Sequence, residues 1–253
     1  FIDADDYLEK EMYEVLYDSI IKNNSDIAAC GYSYIELDGK KYDKYGTRKI
    51  IEFSREKALF SFFDDDSFGV AIWNKLFKRE IIQTIEFNKN FKINEDRLFL
   101  FEAICNCEKF IYNDVCLYNY IKRPNSATTS NFSNSRFDVL KVNKIIEKKL
   151  KKILKENKIL LEKWKKNKNI YLIRLYREMI LSKQHKYYIE EYEEIKLELT
   201  NLYNDVIDTL NKFDKLETIL IVKYNKIYPI LIKFLTKLKI LKRLKNKMEK
   251  VVK

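Results

Sequence analysis

The chain has 253 residues, 46% of them apolar and 34% charged, with only 4 Gly and 2 Pro. That composition excludes a disordered chain or a loop-dominated scaffold and fits long regular elements around one large or two small cores. The net charge of +11 is uneven: residues 1–136 hold 19 Lys and Arg against 23 Asp and Glu, and residues 137–253 hold 30 against 15. Two regions with different partners are therefore expected.

Phe1-Ile2 reads as the end of a buried strand whose beginning lies upstream, so the chain is expected to be a fragment cut within a domain. Asp3-Ala4-Asp5-Asp6 forms the turn after it. Leu8, Met12, Val15, Leu16, Ser19 and Ile20 fall at helical spacing and predict a helix over 8–23. Residues 26–37 alternate loosely and predict a strand. Asp38-Gly39 is a hairpin signal, from which the chain is expected to return alongside as far as Phe53. Ser54 suits the N-cap of a helix ending near Phe63. A short helix is expected near 79–84, and a longer one after Asn94. Strand-like pieces follow at 109–112 and 115–122.

The polar run Asn125–Ser135 is the expected domain boundary, separating 1–136 from 137–253. Beyond it the rhythm is helical, with helices predicted over 137–156, 158–182, 187–212 and 215–250, the last interrupted or started by Pro229. The cysteines, Cys30, Cys105, Cys107 and Cys116, contain no CxxC pair, and the lone histidine is His185. A zinc site is not expected; buried free thiols in a reducing compartment are. No apolar run is long enough to span a bilayer.

Four blocks carry residues capable of chemistry. Asp3, Asp5 and Asp6 crowd the end of an apolar stretch. Carboxylates this close repel, and a divalent cation, Mg²⁺ or Mn²⁺, would neutralise them. Acids at the start of a helix explain the cluster equally well. Asp96, in Asn94-Glu95-Asp96, could take a proton from an attacking hydroxyl or simply cap a helix. Trp73-Asn74-Lys75-Leu76-Phe77 reads as an aromatic packed on a sheet with a polar edge. Arg123, after Tyr118 and Tyr120 and before Ser126, could clamp a phosphate or lie solvated on the surface.

In this order, the four blocks resemble family 2 glycosyltransferases of the bacterial cell-surface polysaccharide class, over roughly residues 1–136. The resemblance implies an α/β architecture over that stretch, a partial GT-A fold with an incomplete mixed sheet and flanking helices; the all-helical tail read from the rhythm beyond residue 137 follows it. It implies an inverting enzyme using a nucleotide-diphosphate sugar and a glycan or lipid-linked acceptor. Asp3 and Asp5 would hold the metal and Asp96 would be the base. Asp3, Trp73, Lys75 and Arg123 would contact the donor. The nucleotide-binding half that precedes these blocks in the family is not in this sequence, so the fragment alone is expected to be inactive. An aspartate-nucleophile phosphatase also uses an apolar-D-x-D block, but Tyr7-Leu8 is out of register for it and the later blocks go unexplained.

The tail has no such signature. Leu231, Phe234, Leu235, Leu238, Leu241, Leu244, Met248 and Val251 share one helical face among lysines. From Lys223 onward there are 11 basic residues and one acid. This pattern predicts a helix lying on an anionic membrane, which would place the protein in the cytoplasm, peripheral at the inner membrane face. A helix packed on the body with a solvated basic face is the alternative. Nucleic acid is not expected, since no recognition motif accompanies the charge. A non-catalytic membrane-surface or interaction module is the competing function.

Overall fold

The computed structural model describes residues 1–44, 46–64, 68–123, 132–153 and 157–237. It divides into two compact units, Phe1–Lys163 and Trp164–Lys253. Ser126, Leu238, Leu241, Leu244, Met248 and Val251 lie outside the described residues.

The first unit is a mixed sheet with helices on both faces. Its strands are β1 (Tyr7–Leu8), β2 (Ile27–Ile35), β3 (Lys41–Lys44), β4 (Ile50–Ser54), β5 (Lys75–Phe77) and β6 (Lys109–Ile121). The central pair, β2 and β6, runs parallel. β4 and β1 pair antiparallel with successive parts of β6, while β5 and β3 pair antiparallel with successive parts of β2. β6 therefore carries one side of the sheet alone, and its two strand-like pieces are one element. Its register against β2 slips between Cys30 and Tyr32. Gly31 sits in that slip: a Cβ there would lie 3.2 Å from both Cys116 Sγ and the Val115 carbonyl. A side chain at this bulge would press on its neighbours by a few tenths of an ångström.

Helix α1 (Met12–Asn23) lays Met12, Leu16 and Ile20 on Ala28, Cys30 and Ile111. The short helix expected near 79–84 is α3 (Arg79–Ile82), and the opposite face is covered by α2 (Arg55–Asp64) and α4 (Glu95–Asn106), whose Phe62, Phe63 and Phe101 rings meet at 5.2–6.2 Å. β6 serves both layers because its side chains alternate: Ile111 faces α1, and Phe110 meets Phe53 and Phe68. All four cysteines are free, and burial pushes the Cys30, Cys105 and Cys107 thiols up to about 12.

Several expectations need correction. Residues 1–3 form no strand, and Tyr7-Leu8 joins β6 so that α1 starts only at Met12. The hairpin at Gly39 is present, but the returning chain leaves β3 at Lys44 and crosses to β6. The Asp114 carboxylate directs that crossing by accepting from Gly46 N, Thr47 N and the Thr47 hydroxyl. The boundary expected at 136 falls later, within α6 (Lys158–Leu181). Helix α5 (Asp138–Ile153) belongs to the first unit: Asp138 accepts from Lys92 N, and Asn143 accepts from the buried Arg97 of α4 at 2.9 Å.

The second unit contains most of α6, with α7 (Ile189–Val206), α8 (Lys212–Lys223) and α9 (Tyr228–Lys237). Buried Glu217 ties three of these helices together, accepting from Arg177 at 2.7 Å and from the Tyr228 hydroxyl at 2.5 Å. The single helix expected over 215–250 is divided at 224–227. Pro229 starts α9, where a missing N–H leaves no bond unmade. Tyr228 and Ile232 supply the buried face of α9, so Leu231 and Leu235 are half-buried while Phe234 points outward. No helix among the described residues is long and apolar enough to cross a membrane.

Candidate active site

The acidic turn is fastened to the end of β6. Asp6 N donates to the Asp3 carbonyl at 3.2 Å, closing the turn. The Asp6 carboxylate accepts from the Tyr118 hydroxyl at 2.7 Å and from Ile121 N at 2.8 Å. Asp3 N in turn donates to the Tyr118 oxygen at 3.3 Å. Asp6 is thus the anchor of the turn. Tyr118 is held flat by Trp73, stacked on it with centroids 4.2 Å apart. Tyr32 meets the same indole edge-on at 4.9 Å.

A second contact brings this turn to helix α4. The Phe1 ring packs edge-on against Phe77, Phe87 and Phe99 at 5.0–5.9 Å. Phe99 lies one helical turn after Glu95 and Asp96, so the contact sets Asp3 beside the start of α4. The Asp3 carboxyl is raised above the usual carboxylate range, first by burial and then by the charges of Asp6, Asp5 and Glu95. Asp5 accepts from Arg123 Nε at 3.2 Å.

Asp96 opens α4 under unusual backbone conditions. Asn94, immediately before the helix, is left-handed at φ 68° and makes no capping bond with its side chain. Asn tolerates this region better than most residues, and such outliers gather at functional sites. The Asp96 carboxylate accepts from Arg97 N at 2.7 Å. That bond and the Lys75 charge pull its pKa down, but burial, Glu95 and Asp3 outweigh them and raise it to about 6. A carboxylate poised there is ionised at neutral pH yet basic enough to accept a proton. Glu95 Oε2, beside it, is buried without a hydrogen-bond partner among the described residues.

The remaining expected residues divide. Lys75 is buried, and its ammonium lies within hydrogen-bond reach of the Phe68, Gly69 and Ala71 carbonyls and Asn74 Oδ1, at 2.6–3.3 Å. There it holds the 68–71 loop, and its charge moderates Asp96. Asn74 ties that loop to the sheet by exchanging bonds with the Cys30 backbone. Trp73 acts on the turn through Tyr118. Arg123 stays about half exposed, and a surface pair of this kind contributes little stability, which leaves its guanidinium able to exchange partners. Among the described residues, no group of three or more His, Cys, Asp or Glu side chains could hold a metal ion.

The chain is similar to known proteins in sequence and in fold. The chain is 30% identical over 133 residues to glycosyltransferase GlyA of Streptococcus pneumoniae, a match covering 50% of this chain and 19% of that protein. It is 25% identical over 132 residues to the uncharacterized glycosyltransferase EpsJ of Bacillus subtilis, covering 51% of this chain and 38% of that one. In three dimensions it superposes on S. aureus TarS 1–349, solved in complex with UDP-GlcNAc, with a TM-score of 0.56 at 18% identity, over 94% of this chain and 67% of that one. A second structure of TarS 1–349 gives 0.51.

The fold is glycosyltransferase-like.

It joins an open mixed α/β sheet to a helical C-terminal part. The chain spans well under half the length of either sequence relative. No family model matches it.

Proposed function

We propose that the chain is the acid-bearing part of an inverting glycosyltransferase that moves a sugar from a nucleotide-diphosphate donor to a glycan or lipid-linked acceptor. The observation carrying this reading is the approach of the Asp3 turn to the start of α4, far apart in sequence: Glu95 is among the acids that raise Asp3, and Asp3 is among those that raise Asp96. Asp96 takes the proton from the acceptor hydroxyl. The acceptor oxygen then forms its bond to the anomeric carbon as the bond to the diphosphate oxygen breaks on the opposite side, inverting that centre. Arg123 exchanges Asp5 for the leaving diphosphate. Asp3 and Trp73 border the donor.

The carboxylates fit a divalent cation. Burial and neighbouring acids disfavour the charge on Asp3, and Mg²⁺ or Mn²⁺ needs only one or two protein carboxylates when phosphates and water complete its shell. Asp3 and Asp5 would hold it. When bound, the ion neutralises charge developing on the diphosphate. The test is release of nucleoside diphosphate from a panel of nucleotide sugars by the full-length protein, with Mn²⁺, with Mg²⁺ and with chelator. Turnover is expected with one donor and loss of it in chelator. Full turnover in chelator would remove the metal from this account; no turnover of any sugar nucleotide would remove the function.

A further inference from the structure

The last described helix presents a surface that the transfer reaction does not use. Ile227, just before the helix, and Ile230 and Phe234 within it follow at intervals of three and four residues and are 54%, 71% and 58% exposed. Tyr228 and Ile232, on the opposite side, are buried and hold α9 in its unit. The exposed apolar row is therefore not a core face left open by poor packing; the helix has a separate core face. By helical spacing Lys233 and Lys237 lie beside that row on the same outward side, and exposed Lys226 sits in the turn that leads into the helix. From Lys223 to Lys237 there is no acid, and from Lys223 to Lys253 there are 11 basic residues and one acid.

We infer that this side of α9 is a docking surface for an anionic phospholipid bilayer. Large apolar side chains beside lysines on one side of a helix match the boundary between headgroups and acyl chains. The rings and branched chains enter the apolar layer, and the ammoniums stay among the phosphates. Charge selects this occupant over a second copy of the chain, which would bring the same uncompensated positive charge to the contact. It also selects lipid over nucleic acid, which would use the lysines and leave Ile230 and Phe234 in water. The inference stands whether or not the acidic site transfers sugar.

The test uses the whole chain with vesicles of phosphatidylglycerol mixed into phosphatidylcholine, and of phosphatidylcholine alone, at low and high salt. Co-sedimentation is expected with the anionic vesicles only, weakening as salt rises. Lys226→Gln with Lys233→Gln should weaken it by roughly 20–30-fold, about fivefold for each lysine near the surface. Ile230→Ser with Phe234→Ser should weaken it by at least about tenfold without lowering the melting temperature, because both side chains are already exposed. Binding indifferent to lipid charge and salt, or unchanged in both double variants, would overturn the inference. So would self-association abolished by the Ile230 and Phe234 changes, which would assign the surface to a second copy. Tighter binding to an oligonucleotide than to vesicles, unaffected by those changes, would assign it to nucleic acid.

Discussion

Asp96→Asn in the full-length protein is expected to lower sugar transfer by roughly 10²–10⁴-fold while making the fold more stable. The first effect is the usual loss when a general base is removed. The second follows from linkage. A carboxyl whose folded pKa, about 6, lies above its unfolded value of 3.8 stabilises the fold while protonated. That contribution is complete below the unfolded value and is lost as pH rises through about 6. At pH 7 the ionised Asp96 is therefore a burden, corresponding to at most about 3 kcal/mol. Asparagine keeps an oxygen for Arg97 N and carries no charge. Donor turnover and a denaturant melt on one preparation check both halves. Near-normal transfer would rule out the base role, and a large loss of stability would show that the charge is structural.

The second large effect is expected at Arg97→Leu. Arg97 is almost fully buried, donates to Asn143 Oδ1 at 2.9 Å and lies over the Phe62 ring at 6.0 Å. Leucine fills much of the volume but strands a buried amide, at a cost of about 2–4 kcal/mol. Replacing both partners, Arg97→Leu with Asn143→Leu, should recover part of the loss, since the Asn143 amide is then no longer stranded. The denaturant midpoint should fall in the single variant and rise again in the double, with unchanged slope. Additive losses would mean that α4 and α5 are not coupled through this pair, and would weaken the placement of α5 in the first unit.

Much of the fold was legible because its local signals agree with its tertiary packing. Met12, Leu16 and Ile20 mark the buried side of α1 by spacing alone, and Gly39 and Pro229 mark a turn and a helix start by backbone chemistry. What was not legible depends on long-range partners. Nothing local to residues 45–54 shows that Asp114 gathers the N–H groups of Gly46 and Thr47 and sends β4 to the far side of β6. The helical rhythm from residue 137 onward hides the change of unit, because α5 and α6 carry the same periodicity. Arg97 and Asn143, which join α5 to the first unit, are both polar and read as surface residues until their bond is seen.

The acidic site was legible in outline and obscure in its division of labour. The blocks containing Asp3, Trp73, Asp96 and Arg123 could be picked out in order. The order could not show that Asp6, rather than Asp3 or Asp5, anchors the turn through Tyr118 and Ile121. Nor could it show that Lys75 points its ammonium into a nest of carbonyls. A lysine beside Asn74 looks like a ligand for phosphate. Only the left-handed Gly69 and the 68–71 carbonyls turned toward it make the other assignment.

The dependence of kcat/KM for donor turnover on pH tests the central claim most directly, namely that Asp96, raised by burial and by the acids around it, is the base. The account predicts an acidic limb with an apparent pKa near 6, a plateau above it, and disappearance of that limb from the residual activity of Asp96→Asn. A flat profile between about pH 5 and 8, or the same limb surviving in Asp96→Asn, would contradict it.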